Sequence, residues 1–287
     1  MLMQAIASSK GIRYLDQPFS VHTNPVRFHE IVAPIRGEQI TQVEIKSMFQ
    51  DYLAGLISGK YIVSAPWKIG SRNFHFTTNR VVLKIINAKN LMEEIAEVID
   101  PITILLTRHP IPTALSKMGN GWQPEILPFM NDRSYSEKYL GPTLADFCWN
   151  IIKQGSLFER HLLDWCLEFN KPLQQLANHN DWLFISYEES VQNRRKTAQF
   201  LAKHLNLGDE NRILKSLISP SISTKTMSEK HVAKAIHDST NISLVLNRWM
   251  DQVSSEEKTA CDNILSAFNI DLYSASSAIP AQKYLQF

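Results

Sequence analysis

Short apolar runs rich in β-branched residues, each followed by a longer stretch of helical spacing, constrain this chain more than any other feature. RVVLKII at 80–86, ITILLT at 102–107 and DWLFISYEES at 181–190 read as buried strands, the last one ending in polar residues. NLMEEIAEVI at 90–99 sets Leu91, Ile95 and Val98 at helical intervals and stops at Asp100 and Pro101. VQNRRKTAQFLAKHLNL at 191–207 is a further amphipathic helix, with Gly208 as its expected C-cap. Between them, residues 143–180 keep helical spacing through Phe147, Ile151, Leu157, Leu162, Trp165 and Leu167, with the aromatics read as core. This order of elements predicts an α/β fold, a mostly parallel sheet flanked by helices, which takes ligands at the carboxyl ends of its strands. Arg108 and Tyr187 both fall at such ends.

The remaining segments are read more coarsely. Residues 119–139, rich in Gly, Pro, Asn and aromatics, predict a loop-dominated surface or lid. Within it Trp122, Phe129 and Tyr135 are candidates for the wall of a substrate cleft or for plain packing. Residues 219–231 form a Ser/Thr-rich loop, and 246–268 a last helical section. The small, polar tail 274–287 is expected to be poorly ordered, leaving residues 1–273 as a single α/β domain.

Composition limits the partners. A formal net charge of +2 over 287 residues gives no global pull toward nucleic acid or an anionic membrane, so an anion site must be local. Cys148, Cys166 and Cys261 are widely spaced and form no metal-site pattern, and are read as reduced core thiols with no metal expected. The sequence has neither an apolar run of membrane-spanning length nor a secretory leader pattern, which predicts a cytoplasmic protein without a membrane span.

The stretch ITILLTRHPIPTALS at 102–116 carries the chemistry. Pro110 suits the first turn of a helix, where its missing N–H costs nothing. Free N–H groups and the positive helix end would then face the space above the sheet. Arg108 adds a guanidinium fork suited to phosphate, and Ser116 a hydroxyl two turns along. Taken as residues alone, the same pattern is also met by an arginine paired with a carboxylate at the sheet edge and a serine that is merely small.

LLTRHPIPTALS resembles the Arg-x7-Ser element of the PAPS-dependent sulfotransferases, with Arg108 and Ser116 in its two positions. The likeness continues in order. VVLKIINAKNLMEEIAEVIDP is similar to the strand and helix before that element, FISYEESVQNRRKTAQFLAKHLNL to the family's Tyr-Glu-Glu strand and its helix, and LNRWMDQVSSEEKTACDNILSAFNI to its Arg-Trp region. The resemblance spans roughly residues 12–273. It implies a P-loop-like three-layer fold that binds the 3′-phosphate of PAPS through Arg108 and Ser116. It places Tyr187 by the adenine, and Ser221 and Thr224, more loosely, near the same phosphate. The implied reaction is sulfuryl transfer to a hydroxyl or amine of a small-molecule or carbohydrate acceptor.

The family's Lys/Arg-x-Gly-Ser/Thr-Thr phosphosulfate loop is not found. SSKG at 8–11 comes after a helical pattern and so sits at the wrong helix end for an anion, and ISGKY at 57–61 lacks the second glycine. MLMQAIASSKGIRYLDQPF resembles the family's segment immediately after that loop, so the chain is expected to begin inside the first helix, without the first strand. Where carbohydrate-type relatives have glutamate before Pro-Phe, this chain has Gln17, which takes no proton. A general base then falls to Asp16, with Lys84 and His75 as further candidates. The alternative expectation is a non-catalytic nucleotide-binding or interaction module.

Overall fold

The computed structural model describes residues 1–20, 31, 43–61, 77–218 and 242–287. Apart from single-turn pieces, the elements are α1 (Leu2–Ala7), β1 (Ile12–Asp16), α2 (Val43–Ser58), β2 (Arg80–Lys84), α3 (Met92–Ile99), β3 (Ile104–Thr107), α4 (Pro110–Gly119), α5 (Leu127–Asn131), α6 (Gly141–Gln154), α7 (Leu157–Leu176), β4 (Leu183–Ser186), α8 (Tyr187–Gln192), α9 (Arg194–His204), α10 (Glu210–Ile218), α11 (Ile242–Asn247) and α12 (Ser255–Ala267). The architecture is mixed α/β and mostly helical, with short parallel strands in two small sheets. The chain divides into two compact units, residues 1–101 with 193–241, and residues 102–192 with 242–287.

In the first unit β1 and β2 run parallel, Ile12 opposite Arg80 through Asp16 opposite Lys84. The face of α2 formed by Phe49, Tyr52, Leu53 and Leu56, spaced at helical intervals, closes over Leu15 and Phe19 with Leu91 and Ile95. The Phe19 ring meets Tyr52 edge-on at 5.7 Å, and the Tyr52 hydroxyl donates to the Pro18 carbonyl. Ala198 and Leu201 of α9 and Ile213 and Leu217 of α10 are buried on the facing surfaces of that helix pair.

In the second unit β3 and β4 pair in parallel, Ile104 opposite Leu183 through Thr107 opposite Ser186. The spine is α7. It starts in a capping box between Ser156 and Glu159, and it is buried along most of its length, Trp165 and Leu162 included. The helical spacing over 143–180 is thus two helices, because Gly155 in extended conformation and the Ser156 cap break it. Lys117 on α4 bridges to Asp164 at 2.7 Å and Glu168 at 3.4 Å on α7, and Asp164 also accepts from the Glu125 N–H. Burial pulls the Lys117 ammonium down, but the charges of Glu168 and Asp164 outweigh it and leave the pKa above its usual value.

Several local expectations shift. Residues 187–192 are helical rather than the end of a strand, because the Ser186 hydroxyl accepts from the Glu189 N–H and starts a turn. The helix at 194–204 closes at Asn206, not Gly208: Asn206 takes the left-handed conformation and Leu207 N–H returns to the Ala202 carbonyl. The 119–139 stretch contains helical turns, and Tyr135 is a buried packing residue that donates to the Leu167 carbonyl at 2.8 Å, while Trp122 stays exposed. The three cysteines are free and buried. Residues 274–287, expected to be poorly ordered, lie against the second unit: Ala275 and Ala278 are buried, and the Gln286 and Phe287 N–H groups donate to Glu189. Local polarity concealed this, since the segment is held by backbone N–H groups and by Lys283 and Tyr284 on Asp271, partners distant in sequence or not marked by it. Among the described residues no helix is long and apolar enough to cross a membrane.

Asp164→Ala leaves the Lys117 ammonium half-compensated and removes the Asp164 acceptor of the Glu125 N–H, and is expected to cost about 2–4 kcal/mol. In denaturant unfolding its midpoint falls with the slope unchanged, while Arg133→Ala, which breaks only the exposed Arg133–Glu137 pair, leaves the midpoint in place.

Candidate functional site

Register decides which side chains stand at the open end of the second sheet. Because Thr107 is paired with Ser186, the next residues of the two strands, Arg108 and Tyr187, emerge side by side at the carboxyl ends of β3 and β4. The backbone at Arg108 is held from both sides. Trp165 Nε1 donates to its carbonyl at 3.0 Å, and the next N–H, that of His109, donates to Glu188 Oε1 at 2.9 Å. The side chain is then laid over the Tyr187 ring, guanidinium carbon to ring centre 5.0 Å. The Arg108 side chain is exposed and makes no hydrogen bond or ion pair with another described residue. A guanidinium oriented by stacking, whose N–H donors meet no acceptor among the described residues, has the chemistry to bind a planar or tetrahedral oxyanion.

Behind Arg108 lies a closed polar network. His109 Nδ1 accepts from the Ile111 N–H at 3.2 Å, so Nε2 carries the proton and donates to the Ser274 carbonyl at 3.1 Å. Its ring lies between Trp249, 4.5 Å between centres, and Tyr273, 4.9 Å. Burial above all, with the Arg108 charge adding to it, drives the imidazole pKa down to about 4, so the ring is neutral. Tyr273 donates to Glu188 Oε2 at 2.8 Å and lies 3.1 Å from the Thr107 hydroxyl, which completes the chain by donating to it. Burial pushes the Glu188 carboxyl up, while hydrogen bonds from His109 N–H and Tyr273 and the Arg108 charge draw it back.

The start of α4 differs from the sequence expectation of free N–H groups. Pro110 and Pro112 have no N–H, Ile111 donates to His109 Nδ1, and Thr113 to the His109 carbonyl. The first turn therefore offers an anion a dipole and no donor. Ser116 is exposed on α4, about 9 Å along the helix axis from its first residue, and no bond joins it to Arg108.

The other candidates lie in the first unit. Asp16 and Lys84 end β1 and β2 as register partners, and Lys84 Nζ meets Asp16 Oδ1 at 2.9 Å, each side chain 38% exposed. The two residues proposed for proton transfer are thus brought together, but as an ion pair with each other. Gln17 comes next in the left-handed conformation, φ 53°, its N–H donating to the Lys84 carbonyl. Ser221, Thr224 and His75 lie outside the described residues.

Sequence reasoning missed His109, Trp165, Glu188 and Tyr273 as parts of the Arg108 site. Two signals pointed that way: a histidine between a strand arginine and Pro-x-Pro stands where an N-cap must, and paired glutamates directly after an apolar run carry charge into a buried place. Among the described residues no three His, Cys, Asp or Glu side chains are grouped to hold a metal ion. No family model, curated protein or solved structure matches the chain.

His109 gives the site a pH signature. The unfolded chain takes up a proton near the ordinary histidine value of 6.5 and the folded one only near 4, so stability falls as pH drops through that window, by up to about 3 kcal/mol. His109→Asn keeps an acceptor for the Ile111 N–H, and its unfolding free energy is expected to lose correspondingly less than wild type between neutral pH and the acid end of the window.

Proposed function

We propose that this chain is a nucleotide-binding protein of the sulfotransferase type, which holds the 3′-phosphate of PAPS on Arg108 and transfers its sulfuryl group to a hydroxyl or amine of a small-molecule or carbohydrate acceptor. The observation that carries the reading is Arg108 itself: an exposed guanidinium, stacked on Tyr187 and free of hydrogen bonds to described residues, at the carboxyl end of a parallel strand. The fold assigned with it is P-loop-like, supported by the parallel strands β3 and β4, each of which leads into a helix.

The fit to such a ligand is partial. Arg108 supplies a two-toothed donor for a phosphate monoester, and Tyr187 an aromatic surface for an adenine. The Ser116 hydroxyl is open to add a bond, and Ser221 and Thr224 are assigned to the same phosphate by resemblance alone. The α4 terminus adds no N–H donor. PAPS supplies an activated sulfuryl group, so the protein's part is to position and to stabilise charge rather than to form covalent intermediates. Asp16 and Lys84 are the candidates to receive the acceptor's proton; the Asp16 carboxylate accepts it once it leaves the ion pair, and Lys84 does so only after its ammonium has given a proton to solvent. That ion pair favours a second reading, a non-catalytic module that binds the nucleotide without transferring the group.

Calorimetric titration with adenosine 3′,5′-bisphosphate, the desulfated donor, tests the binding. Wild type is expected to bind, Arg108→Ala to bind at least about tenfold more weakly, and Arg108→Lys to fall between, since charge remains but the fork is lost. Equal affinity of wild type and Arg108→Ala, or no binding by folded wild type, sinks the reading. Donor turnover in the presence of hydroxyl and amine acceptors, present or absent, then separates transferase from binding module.

A further inference from the structure

Glu188 is 2% exposed and is bonded on both oxygens, and among the described residues none of its bonds comes from a cation. Its backbone adjoins Tyr187, whose ring carries the Arg108 guanidinium, and its Oε1 holds the N–H of the residue next to Arg108. A buried carboxylate is therefore anchored to the backbone beside both partners of the cation–aromatic pair without bonding the guanidinium itself. The groups around it settle which charge it feels. His109 presents a neutral ring and an N–H, and Tyr273 a phenol from the C-terminal segment. β4 and α11, which both pack on α8, contain no charged side chain. The neighbouring Glu189 is turned to the Gln286 and Phe287 N–H groups. Among the described groups, the cation next to Glu188 along this path is Arg108, stacked on the adjoining Tyr187 and one residue from the His109 N–H that Oε1 holds, and its charge draws the carboxyl down.

We propose that Glu188 is a positioning residue that sets the charge of the Arg108 site, so that binding of a phosphate or sulfate monoester at Arg108 is coupled to uptake of one proton by the Glu188 carboxyl. This rests on the reading of Arg108 as an anion site. An anion on the guanidinium cancels the charge that favours ionised Glu188 and adds a like charge nearby, so the carboxyl takes a proton from solvent. By reciprocity, a protonated Glu188 strengthens anion binding, and the ligand is held tighter at lower pH. The network tolerates the change. A protonated Oε2 donates to the Tyr273 oxygen, whose hydrogen then turns to the Thr107 hydroxyl, and Oε1 keeps its bond from His109. Ligand release at higher pH returns the proton to solvent, so no other group is consumed.

The test is calorimetric titration of adenosine 3′,5′-bisphosphate into wild type, Glu188→Gln and Tyr273→Phe between about pH 5.5 and about pH 8.5, with Arg108→Ala alongside. The phosphates' own ionisation is common to all chains and cancels in the ratio of affinities. Glu188→Gln mimics the protonated state, and is expected to bind about fivefold or more tightly than wild type at the alkaline end, with the excess shrinking as pH falls. Tyr273→Phe removes a bond that favours the charged carboxylate, so its affinity is expected to meet that of Glu188→Gln at a higher pH than wild type does. A wild-type to Glu188→Gln ratio that does not change with pH overturns the proposal, as does weaker binding by a folded Glu188→Gln. Should Glu188→Gln fail to fold, an unshifted Tyr273→Phe profile overturns it instead. Those outcomes leave the anion site standing if Arg108→Ala still loses affinity, whereas no binding by wild type removes both.

Discussion

A carboxylate placed out of reach of water costs several kcal/mol unless hydrogen bonds replace its hydration, and in the second unit Glu188 is that carboxylate. Its two oxygens take the His109 N–H and the Tyr273 hydroxyl, so both strand ends and the C-terminal segment must be in place before it is satisfied. The arrangement makes the strand ends mutually dependent. Shift β4 by one residue and Glu188 turns away from His109, and the ring of Tyr187 leaves the guanidinium of Arg108. Four paired residues per strand give little ladder to define this register. The polar network above it supplies the definition that the short sheet lacks.

Aromatic rings close the network against water. His109 lies between Trp249 and Tyr273, and Tyr273 meets Trp165 edge-on at 6.0 Å. Three of these four rings also make a hydrogen bond inside the site, from Trp165 to Arg108, from Tyr273 to Glu188 and from His109 to Ser274. They therefore exclude solvent and satisfy polar atoms at once, which is why a site with so many buried polar groups is compatible with a folded core. The exposed part of the arrangement is confined to the Arg108 side chain.

How much of this was legible in the sequence depended on the range of the interaction. The strands at β2 and β3 and the helix α3 were readable because their signals are local: β-branched runs, helical spacing, and a stop at Asp100 and Pro101. So was the position of Arg108 and Tyr187 at strand ends. The first turn of α4 was misjudged because the prolines were read for the helix start they permit and not for the donors they remove. His109, one residue earlier, then took the remaining N–H. Tyr273 and Ser274 were out of reach for a different reason. They meet Glu188 and His109 across long sequence separations, and nothing in a small, polar tail marks which of its carbonyls will be needed. The pairing of Asp16 with Lys84 likewise depends on β1 and β2 register, which neither strand's own sequence states.

The arginines beside the strands sharpen the distinction between a structural and a binding guanidinium. Arg13 in β1 donates to the carbonyls of Leu56 and Ile57 at 2.8 Å each, closing the carboxyl end of α2. Arg80 at the start of β2 donates to Leu205 at 2.7 Å, where α9 ends. Both answer a need of the fold, since helix ends leave carbonyls without partners and a cation there also meets the negative end of the dipole. Arg108 stands in a comparable place in a strand-to-helix junction, yet the carbonyls near it are satisfied by other groups: its own by Trp165, and that of His109 by the Thr113 N–H and hydroxyl. Among the described residues, no acceptor is met by the Arg108 donors. Its charge acts inside the second unit instead, stacked on the Tyr187 ring and drawing the buried Glu188 carboxyl down. The proposed anion site rests on this difference between Arg108 and the two arginines that close helix ends.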